Sequence, residues 1–319
     1  MIHTPLTRDW GLRYPIVGAP MAGVADGHLA AAISSAGGLG MIGIGSQAST
    51  AFIHDQAEVA RRGGPFGLGL MVWALVDRPE LLDSAIREHP DLVSLSFGDP
   101  TPYVDACHSA GVRVAVQVHS RAEARQAERA GADLIVAQGT EAGGHTGTVA
   151  TLPLLQIVLD TVFTPVVAAG GIATPRGLAA VLAAGAAGAW IGTAFLATPE
   201  ALHNAAGISR ILAADETETI LTHVFDRAQG LAWPEEYPGR ALRNEFGVRW
   251  HGREEALAQS ENARQIFTQG REDYSVGFIY AGQGVGMVRQ VKPARDIVRT
   301  LGEEGEQWLV RRLAALAQD

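Results

Sequence analysis

Across roughly the first 195 residues, a short apolar run followed by a helical stretch recurs eight times. The runs fall at 14–17, 39–44, 66–71, 92–97, 112–118, 134–137, 165–169 and 188–191. Most lack the polar alternation of a half-exposed strand, so each reads as a strand buried on both faces of a parallel sheet. The helices between them, at 27–36, 50–62, 79–88, 101–110, 121–130, 152–161 and 175–184, mostly stop at glycine, as at Gly37-Gly38, Gly63-Gly64, Gly111, Gly131 and Gly185. Thr174 caps the last of these, with Pro175 at its first position. Eight such units predict an α/β fold of the (β/α)8 TIM-barrel type. A doubly wound sheet is the alternative, and eight units weigh against it.

Beyond about residue 200 the pattern breaks. Residues 200–275 are more polar and turn-rich, as in Trp233-Pro234-Glu235-Glu236-Tyr237-Pro238, and predict a mainly helical insertion over the C-terminal mouth of the barrel. Tyr280-Ala281-Gly282-Gln283-Gly284-Val285-Gly286 returns to the barrel, and 294–318 predicts a closing amphipathic helical segment broken near Gly302 and Gly305. The expected organisation is a barrel domain at 1–199, a cap or substrate domain at 200–275 and a C-terminal segment at 276–319.

With 319 residues, 47% of them hydrophobic, the chain can build one large core. A net charge of −9 and the absence of any basic run argue against a nucleic-acid partner. No apolar segment reaches the ~18 residues of a membrane helix, and Met1-Ile2-His3-Thr4-Pro5 lacks the character of a signal peptide. The single cysteine, Cys107, cannot form an internal disulfide, so a reducing cytoplasm is expected. The closing helix and the cap each offer a surface for a homodimer.

In a barrel of this kind the site lies at the C-terminal ends of the strands. The stretch Ala137-Gln138-Gly139-Thr140-Glu141-Ala142-Gly143-Gly144-His145-Thr146-Gly147 follows the sixth strand there. Its glycines let the backbone approach a ligand, and His145 can exchange protons near neutral pH. Gly170-Gly171 after the seventh strand and Gly192-Thr193 after the eighth are placed to cradle a phosphate. A P-loop sequence is absent, and Gly38-Leu39-Gly40 precedes a strand rather than opening a helix, so a Rossmann fingerprint is weak. The scattered histidines predict no metal site. Cys107, in the middle of a helix, reads as a small buried apolar group rather than a nucleophile, and no serine sits in a Gly-x-Ser-x-Gly elbow. A phosphorylated planar cofactor such as FMN suits this arrangement, with Met21 and the first loop over a flat ring. A flavin-free lyase or isomerase acting on a sugar phosphate stays open at this point, as does a ligand-binding barrel.

Ala19-Pro20-Met21, Gln138 to His145, Ala168-Ala169-Gly170-Gly171-Ile172, Ile191-Gly192-Thr193-Ala194-Phe195-Leu196 and Ala281-Gly282-Gln283 together resemble the nitronate monooxygenases, formerly 2-nitropropane dioxygenases. The central motif is shared with flavin-dependent enoyl-acyl-carrier-protein reductases and flavin quinone reductases. The resemblance implies FMN in the barrel and oxidation of alkyl nitronates or nitroalkanes by O2 to carbonyl compounds and nitrite. It implies His145 as catalytic base or hydrogen-bond donor. Ala19, Pro20, Met21, Gln117, Gln138, Gly143, Gly144, Gly170, Gly171, Trp190, Ile191, Gly192, Thr193 and Gln283 would hold the cofactor. An NAD(P)H-dependent flavin reductase is the neighbouring alternative. Glu141, expected to order the loop, and His119 are the other acid–base candidates. One departure is visible: many members carry asparagine after the third strand, where this chain has Gly69.

Overall fold

The structure is a computed structural model and describes residues 2–316. A short helix, α1 (Pro5–Asp9), comes first, fixed by reciprocal bonds between Thr4 and Thr7. The alternating region follows as β1 (Ile16–Gly18), α2 (Gly27–Ser35), β2 (Gly40–Gly43), α3 (Thr50–Ala60) and β3 (Phe66–Met71). After the single turn α4 (Val72–Leu75) come α5 (Glu80–Arg87), β4 (Leu92–Ser96), α6 (Thr101–Ser109), β5 (Arg113–Val118), α7 (Arg121–Arg129) and β6 (Leu134–Gln138). The two-residue β7 (Gly144–His145) interrupts the series, which resumes with α8 (Thr151–Leu159), β8 (Val166–Ala169), α9 (Pro175–Ala183) and β9 (Gly188–Ile191).

Eight of these strands form one parallel sheet in the order β1-β9-β8-β6-β5-β4-β3-β2. Its two ends meet: Gly18 N donates to Leu39 O and Leu39 N to Ile16 O, each at 2.9 Å. The expected (β/α)8 barrel is therefore present, with a helical segment after each of the first seven barrel strands.

Strand residues alternate in direction, so every second one points into the barrel. Val17, Leu39, Met41, Leu92, Leu134, Val136 and Val167 fill the lower interior, and Leu6 and Leu12 close it from below. Their strand neighbours, such as Ile16, Leu68, Val93, Val116 and Ile135, pack outward against the helices. On β4, β5 and β6 the inward series changes character along the strand: Leu92 gives way to Ser94 and Ser96, Ala115 to Gln117, and Val136 to Gln138. The interior is thus apolar at the N-terminal end and polar at the other, which puts binding chemistry at the mouth. Cys107 lies among the outward-facing core side chains, fully buried, and desolvation pushes its thiol up to about 11.

Past β9 the chain forms α10 (Ala205–Ala213), β10 (Thr219–Thr222), α11 (Val224–Gln229), β11 (Gly239–Leu242), α12 (Glu245–Trp250), α13 (Glu254–Gln259) and α14 (Glu261–Gln269). Helices dominate this cap, around a core of Val224, Phe225, Phe246, Leu257 and Phe267. It also contains two strands that the sequence reading did not anticipate. β10 and β11 pair antiparallel, and β11 then pairs with β7, setting Gly239 opposite His145. Gly144 and His145, from the glycine-rich stretch after β6, are consequently part of the cap's sheet.

The closing helix α15 (Ala294–Leu316) corrects a second expectation, because it runs through Gly302 and Gly305 without a break. Those glycines serve packing instead. A Cβ on Gly302 would overlap the Tyr14 ring, and one on Gly305 would come 3.2 Å from Leu178 Cδ2. The anticipated end at 318 lies outside the described residues. Among the described residues, no helix is long and apolar enough to cross a membrane.

Candidate active site

The barrel mouth and the cap enclose a cavity of about 920 Å3. Its floor is the polar end of the barrel, where Ser94, Gln117, Gln138 and Trp190 face inward. Gln117 Nε2 donates to Gln138 Oε1 at 2.9 Å. The same oxygen lies 2.8 Å from Nε2 of buried His119, whose Nδ1 lies 3.1 Å from Glu123 Oε2. This chain of bonds sets the orientation of both amides at the floor. Ser94 Oγ is sealed from solvent and has no partner among the described residues, an arrangement that a polar ligand in the cavity would complete.

One wall is built from glycine. Gly170 and Gly171 hold φ values of +109° and +71°, which side-chain-bearing residues rarely adopt. A Cβ on Gly170 would also lie 2.6 Å from Thr151 Oγ1 and 3.1 Å from Ala142 N. The bare backbone here, next to Gly192 and Thr193, forms a concavity suited to an anion. The loop after β6 is pinned beside it: Glu141 Oε2 accepts from both Thr151 N and Thr151 Oγ1 at 2.7 Å. Gly143 packs its backbone on Ala281 and Gly282, Gln283 N donates to Glu141 O at 2.9 Å, and Gly282 N donates to Thr193 Oγ1 at 3.0 Å.

The opposite wall carries His145. Its ring stacks on Trp233 with centroids 3.3 Å apart and planes 5° from parallel. Trp233 in turn meets Trp73 and Phe97 at 5.1 and 4.9 Å. Phe97 holds φ at +65°, a strained value for a bulky residue, and also packs on His119 and Tyr237. An aromatic lining therefore surrounds His145, and burial pushes its pKa down, outweighing the upward pull of the neighbouring Asp226. The imidazole is accordingly neutral at neutral pH. Nε2 lies 2.9 Å from Asp226 Oδ1. Burial acts to raise the Asp226 pKa, but its bonds to His145 and the proximity of His223 prevail and hold it below the ordinary carboxylate value.

Of the residues singled out from sequence, Ala19, Pro20, Met21, Gln117, Gln138, Gly143, Gly144, His145, Gly170, Gly171, Trp190, Gly192 and Thr193 all line this cavity. Ile191 and Gln283 do not. Ile191 follows inward-facing Trp190, so strand alternation turns it outward into the core between barrel and helices. Gln283 has an exposed side chain and engages the loop through its backbone, while Gly284 reaches the cavity instead. A Cβ on Gly69 would overlap the Pro20 ring, so the asparagine expected there from the resemblance does not fit without a shift.

Sequence reasoning missed Ser94, Phe97, Asp226, Trp233 and Tyr280. The inward polar residue on β4 was a usable signal for Ser94. Asp226 lies 81 positions from His145 and sits on a short cap helix, so no local pattern could join them.

A family model described as Nitronate monooxygenase matches residues 76–304. A nitronate monooxygenase of Pseudomonas aeruginosa is 32% identical, over 93% of this chain and 98% of its own length. Among solved structures, FabK from Thermotoga maritima superposes with a TM-score of 0.86 at 31% identity, covering 99% of this chain and all of that one. A nitroalkane oxidase from Streptomyces ansochromogenes gives a TM-score of 0.78 at 29% identity, with 96% and 98% covered. Matches of this extent to sequence and barrel alike place the chain in the nitronate monooxygenase family, as an oxidoreductase enzyme.

Proposed function

We propose that the protein oxidises alkyl nitronates, and neutral nitroalkanes after deprotonation, with O2 to give carbonyl compounds and nitrite, using FMN as cofactor. The observation that carries this reading is a single cavity joining a bare-backbone glycine wall, a polar floor and a buried histidine. FMN fits those features. Gly170, Gly171, Gly192 and Thr193 would hold its phosphate through backbone N–H groups and a hydroxyl. Gln117, Gln138 and Ser94 would offer hydrogen bonds to the polar edge of its ring. When bound, FMN supplies the electron transfer between the substrate carbanion and O2.

The chain's own residues do the rest. A nitronate is already a carbanion equivalent and needs only to be bound and oriented. A neutral nitroalkane must first lose its α-proton, and His145 is the group in the cavity with the intrinsic pKa for that task. Trp233 and Phe97, with Trp73 packed behind Trp233, exclude water around it, and the first two present apolar faces to the substrate's alkyl chain.

The test is an anaerobic visible spectrum of the purified protein, taken alone, then with an alkyl nitronate, then with NADPH and NADH separately. Flavin bands near ~450 nm that respond to nitronate but not to nicotinamide support the proposal. Bleaching by NADPH or NADH without nitronate would establish an NAD(P)H-dependent flavin reductase instead. A folded protein that takes up no FMN would return the site to a flavin-free phosphate binder.

A further inference from the structure

The mechanism above leaves one buried charge without a task. Asp226, on α11, is 1% exposed and faces three groups. Its Oδ1 lies 2.9 Å from His145 Nε2 and accepts from the Tyr280 hydroxyl at 3.2 Å. Among the described residues its Oδ2 has no hydrogen-bond partner; it lies 3.6 Å from Nδ1 of His223, which is sealed from solvent and likewise without a hydrogen bond there. His223 Nε2 donates to the Glu235 carbonyl at 3.1 Å. Arg240, next to His145 across the β7–β11 ladder, turns away and spends its guanidinium on Thr140 O and Thr219 Oγ1. Among the described residues, no lysine or arginine is therefore paired with this carboxylate. An isolated buried carboxylate is costly, so its placement against the candidate base calls for a role.

We propose that Asp226 is the positioning residue for His145, fixing the tautomer that leaves Nδ1 free to take a proton from the substrate. The proposal rests on the reading of His145 as a base. An ionised carboxylate can only accept hydrogen bonds, so the nitrogen that faces it, Nε2, carries the proton. Nδ1 has no partner among the described residues and is not sealed from solvent. In the step itself the Cα–H bond of the nitroalkane breaks, its electron pair stays on the substrate as the nitronate, and the proton passes to Nδ1. The resulting imidazolium sits against the Asp226 charge, which stabilises it as the buried aspartate of a hydrolase triad does. Tyr280 and His223 hold the carboxylate from its other sides.

The alternative is that Asp226 merely ties the cap to the loop, and the experiment separates the two. Nitrogen-15 NMR of histidine-labelled, FMN-loaded protein, with the His145 signals assigned by their loss in His145→Asn, reads the tautomer directly. The proposal expects the Nε2–H form in the unmutated protein. It is overturned if His145 carries its proton on Nδ1, a result that needs no further variant. In Asp226→Asn the proposal expects loss of that tautomer preference. It also expects the rising limb of kcat/KM against pH for a neutral nitroalkane to move to lower pH by roughly 1 unit, because a charge that favoured the imidazolium is gone. Nitroalkane turnover should fall about 10²-fold or more relative to nitronate turnover, and Asp226→Glu, which keeps the charge, should restore the limb. Equal losses on both substrates with limb and tautomer unmoved overturn the proposal. The two failures are distinguishable. A His145→Asn variant with full nitroalkane activity removes the base reading, and with it the role given to Asp226. An inactive His145→Asn beside an unmoved Asp226→Asn overturns the Asp226 assignment alone.

Discussion

At Gly143 the barrel loop and the returning chain pack backbone to backbone, and Gly143→Ala turns that closeness into a measurable quantity. An added Cβ would lie 2.6 Å from Gly282 N, 2.7 Å from Ala281 C and 2.8 Å from Ala281 Cα. All three are backbone atoms, so no side chain can swing aside. Comfortable carbon contact begins near 3.5 Å, so the segments must separate by on the order of 0.7–0.9 Å. The separation stretches two bonds, Gly282 N to Thr193 Oγ1 and Gln283 N to Glu141 O. Overpacking of this kind costs about 1–3 kcal/mol, and each weakened bond adds about 0.5–1.5 kcal/mol. With partial relaxation we expect a loss of about 2–4 kcal/mol. For a chain of this size that is a fall in Tm of roughly 4–8 °C, read by thermal unfolding at a fixed scan rate. Gly177→Ala is the control. A Cβ there meets nothing nearer than 3.6 Å and lies within α9, so it should stabilise by about 0.4–1 kcal/mol. If Gly143→Ala melts with the wild type, the tight backbone contact does not exist and the reasoning fails.

Three further outcomes are expected. His145→Asn should lower turnover of neutral nitroalkanes by roughly 10²–10⁴-fold and affect nitronates far less; steady-state kinetics on both forms of one substrate would expose an equal loss. Gly69→Asn should destabilise the protein by about 1–3 kcal/mol, because its side chain overlaps the Pro20 ring; a urea midpoint at or above wild type would contradict this. Stability should rise with pH in the window below the ordinary histidine value of 6.5, since burial lowers the pKa of both His145 and His203 and the unfolded chain binds more protons there. Urea midpoints across that window should show a shallower rise in His145→Asn, and an unchanged slope would count against the burial argument.

The barrel was legible because its strands carry their own signal. The predicted run at 66–71 coincides with β3, since the residues of a strand buried on both faces are apolar or small throughout. The cap strands carry none. Thr219–Thr222 and Gly239–Leu242 are four residues each, and their pairing is fixed by partners far away in sequence. Gly302 and Gly305 misled because glycine marks a helix end in most contexts, whereas here it admits the Tyr14 ring and Leu178 against α15. The cavity residues found from sequence sit on barrel strands and their loops, where position along the strand dictates location. Asp226, Trp233 and Tyr280 sit in the cap or beside it, and only the folded chain brings them to His145.

That difference follows from how β7 is paired. Gly144 and His145 belong by sequence to the barrel, yet their strand partner is β11, and the hydrogen bond that orients the imidazole comes from α11. Gly170, Gly171, Gly192 and Thr193 instead follow the barrel strands β8 and β9. The cavity is thus built from two parts of the chain, with His145 tied to the cap's sheet and the glycine wall to the ends of the barrel strands. A substitution in the cap that moves Asp226 therefore changes the surroundings of His145 without touching the glycine wall.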